Sequence, residues 1–251
     1  LFNMKKKKIL ITGASSDIGL QLINKLNNKN FIIGAHCFKG KKRLISLINN
    51  RFDKKNIKIF SKNLNTRNRC IQLVKRFHKW SKGLDIFIQL HGNVSKVTDW
   101  KNLDQKNFTK DIHVNLSSSF FLSQEAFKIM QKKGGKLLFT STSSALHGGG
   151  TNSMAYGLAK SGLISLSKGI ARDGGKYNII SNCIAPGFIN TRFHTKVMKR
   201  TQKQIKKRAK LNSLNKAGSP TEIADLIFYI ISDKSNFITG QVINVDGGDW
   251  I

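Results

Sequence analysis

The chain is predicted to form one α/β domain, a doubly wound parallel sheet of seven strands with helices on both faces. Three observations lead there. Seven short aliphatic or β-branched runs recur along the sequence, apolar throughout rather than alternating, as strands buried on both faces require. Amphipathic stretches of helical period separate them, and strand alternating with helix over the whole length implies parallel pairing. The 251 residues contain only two prolines, Pro186 and Pro220, and no linker, low-complexity segment or internal repeat, so a single domain over 1–251 is expected.

The first strand is KKILIT (7–12), and the turn TGASSDIG follows it. Gly13 and Gly19 permit a tight turn and a close helix-to-strand approach. The helix that opens near Ile18 (IGLQLINKLNN) then offers free N–H groups and its positive dipole end to a pyrophosphate. This is the first βα unit of a Rossmann-type sheet, where ligands sit beyond the carboxyl ends of the strands at the reversal of strand order. FIIGA (31–35) and IKIF (57–60) are the next strands. The helix RNRCIQLVKRFHKW leads to LDIFIQL (84–90), and SSSFFLSQEAFKIM leads to GKLLFT (135–140). The segment MAYGLAKSG (154–162) places Tyr156 and Lys160 one helical turn apart on one face, so phenol and ammonium can reach one object. A cation close to a phenol favours the phenolate, which would make Tyr156 a proton donor and acceptor near neutrality. NIISNCIA (178–185), the helix TEIADLIFYIIS and GQVINV (240–245) complete the series.

Composition narrows the functional classes. Cys37, Cys70 and Cys183 are odd in number and widely spaced, and the six histidines lack ligand spacing, so neither a disulfide framework nor a metal site is expected. Apolar runs such as LIFYII (226–231) are far short of a membrane span. The start LFNMKKKKILITG lacks the apolar stretch of a secretory signal, so a soluble cytoplasmic protein is expected. Lys and Arg number 44 against 13 Asp and Glu, a formal charge of +31, which should attract polyanions of any kind. A nucleic-acid module would combine such charge with aromatic stacking or a groove-reading helix, and neither arrangement stands out.

Six segments in register resemble the short-chain dehydrogenase/reductase family: TGASSDIG, VNLSSSFFLSQEAF, LLFTSTSS, YGLAK, NCIAPGFINT and ITGQVINVDGG. They follow the family's order and spacing over essentially the whole chain. The resemblance implies a catalytic set of Asn115, Ser143, Tyr156 and Lys160, with Ser143 thirteen residues before Tyr156, although Thr142 and Ser144 stand one register step away. Ser143 would hydrogen-bond a carbonyl oxygen that Tyr156 protonates. Lys160 would tune the phenol and hold the nicotinamide ribose, and Asn115 would anchor a water linking Lys160 to solvent or simply satisfy backbone groups.

The implied cofactor contacts are Gly13, Ser15, Ser16, Asp17, Ile18 and Gly19 in the turn, Lys39 after the second strand, Asn63 with Leu64, Leu90 with Gly92, Tyr156 and Lys160, and Pro186, Gly187, Ile189 and Thr191 in PGFINT. Two departures stand out. Asp17 replaces the middle glycine of T-G-x-x-x-G-x-G, and QLHG (89–92) stands where NNAG is usual. Both could weaken cofactor binding. NAD-binding members carry an acid at the end of the second strand. Here AHCFKGKKR (35–43) has none and offers Lys39, Lys41, Lys42 and Arg43, so NADP(H) is expected over NAD(H).

The segment 188–216 is the expected substrate lid, and from Arg192 to Lys216 it is basic without one acid. Lys132 and Lys133 are expected on the same face. A one-signed loop beside an active site concentrates substrates of opposite sign. The pattern is similar to that of 3-oxoacyl-[acyl-carrier-protein] reductases, which implies an acidic acyl carrier protein as partner. The alternative is a sugar, polyol or small ketone as substrate. The family commonly forms homodimers or homotetramers through the helices that carry Asn115 and Tyr156.

Overall fold

The computed structural model describes residues 6–27, 30–49 and 51–249. Among these, seven strands form one sheet: β1 Lys7–Thr12, β2 Phe31–Cys37, β3 Ile57–Ser61, β4 Ile86–Gln89, β5 Gly135–Thr140, β6 Ile179–Pro186 and β7 Val242–Val245. Their spatial order is β3-β2-β1-β4-β5-β6-β7, and every neighbouring pair is parallel. Each run read as a strand in the sequence is one. Strand order reverses between β1 and β4, and there Leu90 N–H donates to the Thr12 carbonyl at 3.0 Å. A ligand site is therefore expected just beyond Thr12 and Gln89.

The helices are α1 Asp17–Lys25, α2 Lys41–Asn49, α3 Arg67–Ser81, α4 Gln105–Ile112, α5 Ser118–Met130, α6 Met154–Gly174, α7 Gln202–Ala209 and α8 Pro220–Ile231. Their starts follow from caps. The Ser16 hydroxyl accepts from Gly19 N–H, and Ser219 with Glu222 forms a capping box ahead of α8, with Pro220 at its first position. The helices α2 and α4 leave no clear period in the sequence, because each is short and buries few side chains: Leu44 and Ile48 in α2, Asp111 in α4.

Side chains along β1 alternate between two cores, as a period of two dictates. Ile9 and Ile11 pack with Leu22 and Ile23 of α1 and Ile223 and Ile227 of α8. Leu10 faces the other way, in the cluster that holds Leu73 and Phe77 of α3 and Leu122 of α5. Full burial of one such side chain is worth about 1.5 to 3 kcal/mol, so the sheet is held rigidly from both sides.

One expectation is corrected by the topology. Lys132 and Lys133 lie in the turn that closes α5 before β5 begins at Gly135, where Gly134 N–H donates to the Met130 carbonyl. That is the amino end of the sheet, opposite the ligand end, so these lysines do not add to the lid's face. No helix among the described residues is long and apolar enough to cross a membrane.

Candidate active site

Beyond the carboxyl ends of the strands lies a cavity of about 610 Å³ that runs from the start of α1 to the lid. Gly13, outside the lining itself, lets the turn after β1 pack closely on the loop after β4. It has φ +71°, and a Cβ there would meet the His91 backbone nitrogen at 2.6 Å. Ser16, Asp17 and Ile18 line this end, where the first-turn N–H groups of α1 have no carbonyl within the helix to bond. Asp17 brings a negative charge to a place suited to phosphate, but that charge is matched. Its Oδ1 accepts from Arg43 Nη2 at 2.5 Å, and its Oδ2 accepts from the Arg192 N–H at 2.6 Å. The close approach at Gly13, the free N–H groups and the neutralised acid fit the pyrophosphate of a dinucleotide.

The remaining expected cofactor residues divide. Leu90, Gly92, Pro186, Gly187, Ile189 and Thr191 line the cavity. Gly19 supports it from behind, since a Cβ there would strike the Ala14 carbonyl at 2.6 Å. Ser15 and Lys39 are outside the lining, braced against each other by a 2.7 Å bond from the Ser15 hydroxyl to the Lys39 carbonyl. Asn63 and Leu64 are also outside it, and the Leu64 side chain belongs to the core. Among the cations after β2 it is Arg43 that lines the cavity, held by its bonds to Asp17 and to the Ser15 carbonyl. The sequence offered it only as one of four basic residues.

At the other end, α6 carries Tyr156 and Lys160 into the cavity. Lys160 is buried, donates to the Thr140 carbonyl at 2.7 Å, and places its Nζ 5.6 Å from the centre of the Tyr156 ring. Asn115 sits one layer behind, in a π-helical turn, His113–Ser117, that joins α4 to α5. Such turns frequently mark functional sites. Its Nδ2 donates to the Asn93 and Asp111 carbonyls at 2.8 Å each, and its Oδ1 accepts from the Asn93 N–H at 2.9 Å. A Cβ at position 92 would lie 2.9 Å from Asn115 Oδ1 and 3.3 Å from Lys160 Nζ, so glycine leaves room for both groups beside the loop after β4. Asn115 is a positioning residue that holds the loop after β4.

Hydrogen bonding separates the hydroxyls of the STSS segment. Ser141 donates to the Lys160 carbonyl at 2.8 Å, while Thr142 and Ser144 share a bond of 3.2 Å. Ser143 is buried, lines the cavity and, among the described residues, leaves its hydroxyl uncommitted. The same holds for the Tyr156 hydroxyl. Both hydroxyls are left to bond an oxygen from outside the chain.

The expected direction of the tyrosine's titration is corrected. Burial pushes the Tyr156 phenol up rather than down, and burial also lowers Lys160 from 10.5 to about 8. Desolvation in the cavity disfavours the charged form of each. At pH 7 Tyr156 therefore holds its proton and Lys160 its charge, the state a proton donor needs.

The QLHG departure is accommodated by hydrogen bonds. Gln89 accepts from the Thr140 N–H at 3.1 Å and donates to the His91 carbonyl at 2.6 Å. The His91 ring is buried between Thr12 Oγ1 at 2.7 Å and Ser118 Oγ at 2.9 Å. Burial, and after it charge repulsion from His36 and Lys160, hold its pKa well below 6.5, so it is a neutral brace between β1 and α5.

A dinucleotide cradle at a topological switch point, with a proton donor and a second hydroxyl facing one cavity, defines a nicotinamide-dependent oxidoreductase that interconverts carbonyl and alcohol. Comparison with known proteins agrees. Residues 13–249 match the family model described as Enoyl-(Acyl carrier protein) reductase. Nodulation protein G of Rhizobium meliloti (strain 1021) is 30% identical, over 99% of this chain and 98% of its own length. The 3-oxoacyl-[acyl-carrier-protein] reductase FabG of Rickettsia prowazekii (strain Madrid E) is 30% identical over the same shares. Among solved structures, ElxO with NADP bound is 25% identical with a TM-score of 0.85, covering 97% of this chain and 98% of that one. A short-chain dehydrogenase/reductase from Serratia marcescens BCRC 10948 shares the fold at 22% identity and a TM-score of 0.87, covering 98% of both chains. The chain belongs to the short-chain dehydrogenase/reductase family.

Proposed function

We propose that the protein reduces a carbonyl to an alcohol with NADPH, and that its first candidate substrate is a 3-oxoacyl thioester on an acidic carrier protein. The observation that carries the reading is the pair of uncommitted hydroxyls, Ser143 and Tyr156, beside a buried ammonium. A bound reduced nicotinamide supplies hydride to the carbonyl carbon. The chain does the rest. Ser143 donates a hydrogen bond to the carbonyl oxygen and orients it. Tyr156 gives its phenolic proton as negative charge develops there, and the Lys160 ammonium steadies the phenolate left behind. The Thr140 carbonyl keeps the Lys160 ammonium in place. A hydroxyl pair aimed at an oxygen suits reduction of C=O better than reduction of an isolated C=C.

NADPH over NADH is supported by Arg43, which lines the cavity close to α1, and by the absence of an acid at the end of β2. Arg43→Ala leaves Asp17 unpaired beside the pyrophosphate site and should weaken both cofactors, and NADPH by about a further tenfold or more, since a charge-assisted hydrogen bond contributes about 1.5 to 3 kcal/mol. Calorimetric titration with both cofactors measures this, and equal losses would assign Arg43 a purely structural role.

The carrier-protein reading is supported by the curated reductase relatives and by the lid. Lys203, Lys206, Lys207 and Lys210 are exposed on and just after α7. If charge steers the encounter, kcat/KM for the carrier-bound substrate falls steeply as salt rises, and the same acyl group on a small neutral thioester shows little change. Lys206→Glu with Lys207→Glu should slow only the carrier-bound substrate. Equal salt slopes would favour a small carbonyl or sugar substrate.

A further inference from the structure

The inner wall of the lid differs from its basic outer face. Arg200 and Arg208 both line the catalytic cavity, and both guanidinium groups lie 5.7 Å from the centre of the Phe188 ring. Their charges are handled differently. Arg208 is paired with both oxygens of the buried Asp249 carboxylate. Arg200 has no carboxylate partner among the described residues. It is half-buried, and its Nη1 meets only His194 Nδ1, at 3.1 Å. His194 cannot neutralise it. Burial and the two arginines lower that imidazole to about 4, so it is an uncharged acceptor at pH 7.

A guanidinium has five N–H donors, and most of those on Arg200 are left for a guest. Its position relative to the reacting end is defined by a wall of rings. Tyr156 stands 5.8 Å from Phe193, Phe193 stands 5.7 Å from His194, and His194 holds Arg200. An unneutralised charge in such a cavity disfavours the empty state and favours an anion, and the low dielectric strengthens that attraction. The excess of lysines on the outside does not explain this placement, because those ammonium groups are solvated.

We propose that Arg200, backed by His194 and Arg208, is an oxyanion-binding subsite, and that among carbonyl compounds without a carrier it favours those with a carboxylate or phosphate several bonds from the carbonyl. The proposal rests on reading the cavity as a carbonyl-reducing site, but not on the carrier protein. The planar fork of Arg200 would take two oxygens of the anion while the carbonyl meets Ser143 and Tyr156. The anion thereby sets which end of the molecule enters first.

Two matched pairs test it in NADPH oxidation: levulinate against its methyl ester, and dihydroxyacetone phosphate against dihydroxyacetone. The expected result is a preference of about tenfold to a hundredfold in kcat/KM for the anionic member of at least one pair. Which pair shows it tells carboxylate from phosphate. In Arg200→Met that ratio should collapse toward one, mainly through KM, and Arg200→Lys should restore part of it. A second readout needs no turnover: calorimetric titration of succinate and of glycerol phosphate into the protein, saturable in the native chain and lost in Arg200→Met. Anion binding without reduction of any carbonyl would overturn the carbonyl reading and leave the subsite standing. Absence of preference in both pairs, or ratios unchanged in Arg200→Met, would overturn the subsite.

Discussion

Tyr156→Phe is expected to lower kcat by about 10²- to 10⁴-fold, the range that positioned general-acid catalysis contributes. Cofactor affinity should stay within a few-fold. The tyrosine hydroxyl has no partner among the described residues, and the ring keeps its contact with Phe193, so the phenylalanine variant loses the proton donor and little else. Its thermal midpoint should match or exceed that of the native protein, because a desolvated hydroxyl is removed from the cavity. Steady-state kinetics beside a melting curve distinguish this from a folding defect. Near-native turnover would remove Tyr156 from the mechanism.

Lys160→Met should also abolish turnover, and it should do so while raising stability at neutral pH. Burial lowers the folded-state pKa of Lys160 from 10.5 to about 8. Between those values the unfolded chain holds the proton and the folded chain releases it, so stability rises with pH across that window. The full penalty applies below about pH 8. At 1.36 kcal/mol per pH unit the penalty is about 3 to 3.5 kcal/mol, offset in part by the lost bond to the Thr140 carbonyl. The gain of the methionine variant over the native chain should therefore be largest near pH 7 and shrink as pH approaches 10. Denaturant titrations at several pH values measure the difference. A variant that is less stable than the native chain at pH 7 would mean that the lysine is held there by its contacts rather than tolerated for catalysis.

How much of this was legible in the sequence depends on the kind of signal. The seven strands were, because a sheet buried on both faces writes continuous apolar runs, and β1, β5 and the start of β3 fall where the runs do. Tyr156 and Lys160 were legible as a helical pair, and the resemblance supplied Ser143 and Asn115. The helices α2 and α4 were not, since Lys41–Asn49 and Gln105–Ile112 bury too few apolar residues to show a period. Long-range contacts were the other blind spot. Asp17 bonds the backbone of Arg192 across 175 residues, and Arg208 meets Asp249 across 41, and neither partnership leaves a local pattern. The titration of Tyr156 was misread for a related reason: spacing gives the neighbour, but only the fold gives the burial that outweighs it.

Departures from the family pattern acquire a physical reading in the same way. Asp17 looked like a defect in a phosphate-binding turn, yet its charge is absorbed by Arg43, and its second oxygen ties the turn to the first residue of the basic lid segment. His91 looked like a defect beside the nicotinamide contacts, yet its ring satisfies Thr12 and Ser118 and joins the glycine-rich turn to the helix that follows Asn115.

The central claim, that the cradle at Gly13 and the hydroxyl pair at Ser143 and Tyr156 serve one nicotinamide cofactor, is tested most directly by calorimetric titration of the native protein with NADPH and NADH. One saturable site is expected, with an affinity between about 1 μM and 1 mM for NADPH, the range in which enzymes hold their substrates, and weaker binding of NADH. A protein that takes up neither cofactor at millimolar concentration would contradict it.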